Sequence, residues 1–223
     1  MNPNICDDCN YYFGNRDINN SQYSIEEALK ETFNIPRKRL LTGSTPRRKI
    51  GDFKSKFFEV KIRNGKYRLS IKQSFKFSPN FQKELCRSFK RGLYKMYFEE
   101  LNRQKKIRYE KKFNPIRDFA RYNKNNLPVI HYHRKHGAIR SIKREAESPV
   151  LIFDRMLYLI SNDKFVEIEF LGLVFGFPIC DVSVDDFRDY TTKTMIEKKD
   201  FFTGFSIIEK LTDIDFTLSI LND

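Results

Sequence analysis

The sequence predicts an α+β protein in which helices and a β-hairpin are followed by a mostly antiparallel sheet. Apolar residues recur at four-residue intervals across 81–104, as they do along one side of an amphipathic helix. Two runs of alternating residues flank Asn64-Gly65, which is a strong short-range signal for a hairpin. Short runs rich in Val, Ile, Phe and Tyr follow Asn126 and indicate strands.

The first of three predicted segments, 1–36, contains a short amphipathic helix. Ser24 is a good N-cap, and acidic residues follow it in the first turn. Ile25, Leu29 and Phe33 then recur at four-residue spacing. We expect this helix to end just before Pro36, because proline disfavours the helical conformation in the residue that precedes it.

The second segment, 37–126, begins with a basic linker and contains the hairpin and the long helix. The polar face of the hairpin carries five cations: Lys61, Arg63, Lys66, Arg68 and Lys72. The long helix has an apolar stripe formed by Phe81, Leu85, Phe89, Leu93, Tyr97 and Leu101. Cys86 broadens that stripe and is predicted to be buried. A short helix from Asn114 to Arg121 follows.

The opposite side of the long helix is predicted to be basic. Its candidate nucleic-acid-binding residues are Lys83, Arg87, Lys90, Arg91 and Lys95, with Arg103 further along. Contact with phosphates is one interpretation of this pattern. A solvated helix face without a partner is the alternative.

The third segment, 127–223, is predicted to be rich in strands. Candidate strands lie near 129–130, 149–153, 156–160, 165–170 and 173–177, with a turn at 161–163. Residues 185–190 are compatible with a single helical turn, and 207–221 show no assignable pattern.

Charge is distributed unevenly along the 223 residues, whose formal net charge is +13. From Arg37 to Lys112 there are 25 Lys and Arg against 6 Asp and Glu, whereas from Val150 onward 7 basic residues face 14 acidic ones. This asymmetry favours a nucleic-acid partner, most simply DNA, for the basic region.

The cysteines and the hydropathy indicate a reducing compartment. The four cysteines do not form the dense pattern of a secreted disulfide framework. No apolar run approaches the roughly 18 residues of a membrane-spanning helix, and the start of the chain is too polar for a signal peptide. A cytoplasmic protein without a membrane partner is therefore expected, and its oligomeric state stays open.

The start of the chain resembles the second half of the HNH nuclease motif. The stretch 4–14 is similar to the pattern N-[IV]-[VC]-C-x-x-C-N-x-x-F-G of a zinc-knuckle subfamily. In that correspondence Cys6 and Cys9 are the second zinc pair, Asn10 is the last motif residue and Asn4 stands near the middle Asn. The first Cys pair and the strand with the catalytic His have no counterpart. The basic stretch 55–104 is similar, less specifically, to the region that follows the motif.

The resemblance implies part of a ββα-metal fold, with structural zinc held by Cys6 and Cys9. It also implies a divalent cation such as Mg²⁺ at the scissile phosphate, with Asn10 and Asn4 as catalytic residues. His131 and His133 would lie on the same side of a strand and are candidates to complete the zinc site or to activate water. A basic, aromatic surface segment is the alternative interpretation of these histidines.

Three functions follow as hypotheses. The first is a DNA endonuclease of HNH type, shortened at its amino terminus through a late start or a truncated gene and lacking the catalytic His strand. The second is a nucleic-acid-binding protein derived from such a nuclease, without cleavage. The third is a structural or interaction protein with a solvated basic helix. Metal-dependent cleavage and salt-sensitive DNA binding distinguish them.

Overall fold

Helices and antiparallel strands make up the part of the chain that the computed structural model describes, which is residues 6–15, 24–40, 55–64, 66–73, 80–105, 110–135, 150–152 and 164–214. The helices are α1 (Asp7–Gly14), α2 (Ile25–Leu40), α3 (Phe81–Lys105), α4 (Asn114–Tyr122) and α5 (Val184–Glu197). The strands are β1 (Phe58–Arg63), β2 (Lys66–Ile71), β3 (Ile130–Arg134), β4 (Val150–Ile152), β5 (Phe165–Phe170), β6 (Leu173–Pro178) and β7 (Phe202–Ile207). The predicted α+β class is confirmed.

A five-stranded sheet in the order β4-β5-β6-β3-β7 forms the middle layer, and every neighbouring pair in it is antiparallel. Alternate residues of a strand point to opposite faces. Phe175 and Phe177 of β6 accordingly pack with α3, while Val174, which precedes Phe175 and points to the opposite face, packs with Tyr190 of α5. The sheet therefore lies between α5 on one side and the remaining packed helices on the other.

Helix α3 is the centre of the larger hydrophobic core. All six residues of its predicted apolar stripe are at most 1 % exposed, and Cys86 is buried beside them. The predicted helix and its apolar face are thus confirmed. Burial of each large apolar side chain contributes roughly 1.5–3 kcal/mol, so this stripe is the main source of cohesion on its side of the sheet.

Three aromatic residues show how the predicted segments share this core. Phe33 of α2 lies 5.4 Å from Phe89 of α3 and 6.1 Å from Phe175 of β6, measured between ring centroids. Phe89 and Phe175 are 5.6 Å apart. All three pairs are tilted or edge-to-face, as aromatic pairs prefer. One cluster therefore contains residues from 1–36, 37–126 and 127–223.

Helix α2 begins as predicted but ends later. The Ser24 hydroxyl accepts from the Glu27 amide and the Glu27 carboxylate accepts from the Ser24 amide, each at 3.1 Å, which is a capping box. The prediction that the helix ends before Pro36 is wrong, because α2 continues to Leu40. Proline removes one intrahelical donor, and that local cost is outweighed where α2 packs against α3 through Leu29 and Phe33.

The third segment differs from its prediction in two places. Residues 185–190 belong to the 14-residue helix α5, whose amino terminus is fixed by a capping box between Ser183 and Asp186. Strand β7 was not predicted, and it pairs with β3 at one edge of the sheet. Helix α4 and strands β3 to β6 follow the predictions within a few residues, whereas the predicted strand 156–160 and the turn 161–163 lie outside the described residues.

Among the described helices, none has the length together with the apolar character that crossing a bilayer requires.

Candidate nucleic-acid interface

The β1–β2 hairpin places four basic positions on one face. Its register sets Lys61 opposite Arg68 and Arg63 opposite Lys66. Directly opposed residues of an antiparallel pair point to the same side, and like charges in that arrangement are destabilising. Glu59 is the acidic residue of the same face, and its carboxylate lies 3.1 Å from the Lys61 ammonium. The register thus places four basic residues and one acidic residue on the same face of the hairpin.

The turn of the hairpin is the one that the sequence predicts. Asn64 has a φ of 52°, in the left-handed region that Asn and Gly tolerate best. This turn lets the two strands pair directly, from Phe58 with Ile71 to Arg63 with Lys66.

A buried carboxylate fastens the base of the hairpin to α2. Glu31 is 1 % exposed, and it accepts from the Ser55 hydroxyl and, at 2.6 Å, from the Lys56 amide. Burial is the main cause that raises the pKa of Glu31, and these two hydrogen bonds oppose it. The Lys72 ammonium donates to the Ser55 carbonyl at 2.6 Å. Lys72, which was expected on the cationic face, therefore closes the base of the hairpin instead.

The cations of α3 are placed differently from their prediction. Arg91 is 2 % exposed and Lys90 is 5 % exposed, so the expectation of an outward-facing basic side is wrong for both. The physical reason is that α1, α2 and α4 cover the flanks of α3, which leaves little of this helix facing solvent. Lys83, near the start of α3, is exposed as predicted.

Arg87 and Arg91 satisfy acceptors at the carboxyl end of α4, and Lys90 satisfies an acceptor in the loop that follows. Arg87 donates to the Asn123 side chain at 2.6 Å and to the Asn123 carbonyl at 2.9 Å. Lys90 donates to the Asn126 side chain at 2.9 Å, and burial is the main cause that lowers its pKa. The last carbonyls of a helix lack intrahelical donors and carry partial negative charge. Arg87 therefore stabilises this helix end, and Lys90 stabilises the loop after it.

Arg91 and Lys95 connect α3 to its neighbouring helices. The Arg91 guanidinium donates to the Phe119 and Ala120 carbonyls of α4 at 3.2 and 3.1 Å and to the Tyr12 hydroxyl of α1 at 2.6 Å. Lys95 lies 3.3 Å from the Glu26 carboxylate of α2 and 3.3 Å from Glu99. The structure therefore gives both side chains partners within the fold.

The cysteine pair lies at the start of α1. Cys6 is exposed and immediately precedes the helix, whereas Cys9 is half-buried within it. Hydrogen bonding from the Cys9 thiol is the largest cause that lowers the pKa of Cys6, and burial is the largest cause that raises the pKa of Cys9. Asn10 is exposed, and its backbone N–H donates to the Cys6 carbonyl at 3.0 Å. Asn4 lies outside the described residues.

An arginine that the sequence analysis did not single out lies beside this pair. The Arg121 guanidinium, at the end of α4, stands 3.5 Å from the centre of the Tyr12 ring and favours the thiolate form of Cys9 through its charge. Tyr122 and Lys124, which follow it, are exposed. The mixture of aromatic and basic residues from 121 to 124 is the sequence signal that could have indicated this surface.

His131 and His133 lie on β3, as expected, with ring centroids 5.5 Å apart. His131 is 2 % exposed, and its Nδ1 is 3.1 Å from the Asp213 carbonyl oxygen. His133 Nε2 is 2.8 Å from the Ser206 hydroxyl. His133 therefore has a partner on β7, and His131 has one in the short helical turn Leu211–Asp213 that follows that strand.

The structure does not combine the histidine pair with the cysteine pair. Across the described ranges, no group of three or more His, Cys, Asp or Glu side chains is arranged to hold a metal ion. Within the described ranges, Cys6 and Cys9 therefore have no third potential ligand beside them of the kind that a tetrahedral zinc site requires.

Comparison of the chain with protein-family models, with curated proteins and with solved structures gave no significant match.

Proposed function

We propose that this chain binds nucleic acid, and DNA in particular, through the cationic face of the β1–β2 hairpin. The observation that carries the proposal is the register, which opposes Lys61 to Arg68 and Arg63 to Lys66. Two adjacent pairs of like charge cost stability in the free protein. A polyanion that neutralises them recovers this cost on binding, and it gains further by the release of counterions from its phosphates.

The shape of the hairpin suits the same partner. A two-stranded antiparallel ribbon fits the major groove of B-DNA, which is about 12 Å wide. The hairpin is a separate two-stranded sheet, so no third described strand pairs with it. Its base is fastened to α2 through Glu31, which gives the ribbon a fixed direction relative to the helices. Phosphate contacts from its cations would set register and orientation on the duplex.

A second candidate function, phosphodiester cleavage of HNH type, rests on the resemblance at the start of the chain. In that scheme Asn10 would contribute an oxygen ligand to a divalent cation, and its exposed position on α1 is compatible with this role. Cys6 and Cys9 would supply two of the four zinc ligands. The cation would polarise the scissile phosphate and stabilise the leaving oxygen.

The binding proposal is tested by the salt dependence of affinity for a fluorescent duplex. The double variant Lys61→Gln with Arg63→Gln removes two cations from the exposed face of β1. We expect weaker binding and a log–log salt slope shallower by about 0.9 for each phosphate that the variant no longer neutralises. The matched control is Lys193→Gln with Lys199→Gln, which removes the same charge from exposed positions in and after α5.

A specific role for the hairpin requires that the control variant retain most of its affinity. Equal losses in both variants would indicate that net charge, and not the hairpin, drives binding. An unchanged affinity and slope in the hairpin variant would refute the proposal. Cleavage is assayed separately with a supercoiled plasmid and Mg²⁺, where loss of nicking in Asn10→Ala at unchanged DNA affinity is the result that the second candidate requires.

A further inference from the structure

Cys6 and Cys9 are positioned to form a disulfide with each other. Cys6 immediately precedes α1 and Cys9 is its third residue, one turn further on. Helix geometry sets Cα atoms at this separation roughly 5 Å apart. That distance lies inside the range of about 4.4–6.8 Å that disulfides span. Closure therefore needs a side-chain rotation and not a rearrangement of the helix.

The two thiols differ in solvent exposure, so they are suited to different steps of a thiol–disulfide exchange. Cys6 is exposed at the tip of the helix, where an incoming molecule can reach its sulfur. Cys9 is half-buried, with the Arg121 guanidinium beside it and the Tyr12 ring against that guanidinium. An external reagent thus meets Cys6 first, and Cys9 is confined to reacting with a group already attached to Cys6.

We propose that Cys6 and Cys9 form a reversible redox pair that exchanges with low-molecular-weight disulfides of the glutathione class. The Cys6 thiolate attacks one sulfur of the external disulfide, which forms a mixed disulfide and releases one thiolate. The Cys9 thiolate then attacks the Cys6 sulfur, closes the Cys6–Cys9 bond and releases the second thiolate. Two protein thiols lose two electrons and two protons, and one external disulfide becomes two thiols.

The remaining cysteines lie outside the pair and serve as internal references. Burial raises the pKa of Cys86 to about 12, and its side chain is enclosed in the core around α3. Cys180 follows β6, far along the chain from the pair, and burial raises its pKa as well. A buried thiol such as Cys86 reacts slowly, and Cys180, which is half-buried, is the reference for a thiol outside the pair.

The experiment incubates the full chain in buffers of varied ratio of reduced to oxidised glutathione, blocks free thiols by rapid alkylation and measures intact mass with peptide mapping. We expect the oxidised chain to carry two fewer alkyl groups, both missing from the peptide that contains Cys6 and Cys9. The variant Cys9→Ser should accumulate a glutathione adduct on Cys6. The variant Cys6→Ser should form adducts at least tenfold more slowly, while Cys180→Ser behaves as the parent.

Two outcomes would overturn the proposal. One is that both thiols stay fully alkylatable when oxidised glutathione is in large excess. The other is that one zinc ion per chain, found by mass spectrometry under native conditions, protects both thiols from exchange. Far-UV circular dichroism of each variant ensures that the exchange is measured on folded protein. The hairpin contains no cysteine, so this result and that of the DNA-binding test are independent.

Discussion

Arg91 of α3 donates a hydrogen bond of 2.6 Å to the hydroxyl of Tyr12 in α1, across 79 residues of sequence. The same guanidinium reaches the carbonyls of Phe119 and Ala120 in α4. One buried cation thus joins three helices at the point where the candidate cysteine pair is attached to the core. The Arg121 guanidinium, which lies against the Tyr12 ring, is a second cation at this junction of helices.

Replacing Arg91 should therefore reduce the stability of the fold. In Arg91→Met the carbonyls of α4 and the Tyr12 hydroxyl lose their donor, and buried groups left without a partner cost about 1–3 kcal/mol each. We expect the free energy of unfolding, measured by urea titration, to fall by roughly 2–4 kcal/mol. The control Lys83→Gln, on the exposed start of the same helix, should change it by less than about 0.5 kcal/mol. Equal stability of the two variants would contradict the assigned role of Arg91.

The contact between Gly92 and Leu29 sets how closely α2 approaches α3. A Cβ on Gly92 would lie 2.5 Å from Leu29 Cγ and within 2.8 Å of both of its methyl carbons. Overpacking typically costs about 1–3 kcal/mol, whereas Ala is favoured over Gly in a helix by about 1 kcal/mol. Gly92→Ala should therefore lower the midpoint of thermal unfolding. In a double-mutant cycle, Leu29→Ala should be less damaging in the Gly92→Ala background than in the parent, and strict additivity would exclude this contact as the cause.

Glu167 and Lys198 form an ion pair between β5 and the end of α5 in which both side chains are nearly inaccessible. The Lys198 ammonium lies 2.6 Å from Glu167 Oε2, and the Tyr190 hydroxyl donates to Oε1 at 3.0 Å. Removing one partner of a buried pair costs roughly 3–5 kcal/mol because the other charge stays buried. Glu167→Gln should produce such a loss in urea unfolding, while Glu197→Gln at an exposed position of α5 should not.

A rescue variant separates charge from packing at this pair. Adding Lys198→Met to Glu167→Gln removes the stranded ammonium, so the double variant should be more stable than Glu167→Gln alone. If the double variant is the less stable of the two, loss of packing and not the unpaired charge explains the effect.

Four buried tyrosines predict that stability falls in alkali. Burial raises the pKa of Tyr94, Tyr97, Tyr132 and Tyr190 above the ordinary value. A tyrosine with a raised pKa in the folded state contributes stability that is present below its unfolded pKa of about 10 and is lost above it. Lys90 and Lys198, whose pKa values burial lowers, act in the opposite direction below their unfolded pKa, but they are two groups against four.

The alkaline effect is measured by urea titrations at several pH values together with tyrosinate absorbance. We expect the free energy of unfolding to decline above about pH 10 and tyrosinate to appear in step with loss of the helical circular dichroism signal. Tyr94→Phe, which removes the hydroxyl that donates to the Pro128 carbonyl at 3.3 Å, should make the decline shallower. Tyrosinate formation that runs to completion with the helical signal intact would contradict burial of these hydroxyls.

The sequence predicts those elements whose pattern depends on residues close together in the chain. The i, i+4 stripe of α3, the capping box at Ser24 and the Asn64-Gly65 turn depend on residues a few positions apart, and the sequence displays them directly. Helix α2 shows the limit of such reasoning, because a strong local signal at Pro36 is overridden once packing against α3 is included. Strand β7 is the converse case, since Phe202–Ile207 is a strand through its pairing with β3, about 70 residues earlier.

The sequence by itself determined the class of fold, the apolar face of α3 and the basic character of the hairpin, because periodicity and turn chemistry act within one element. Only the tertiary structure decided what the cations do. Arg91 and Lys61 are both basic residues on amphipathic elements, yet one is enclosed by α1 and α4 and the other faces solvent. A pattern along one helix does not specify which other elements cover its flanks. That covering arises from long-range packing, which separates the cations that stabilise the fold from those available to a phosphate.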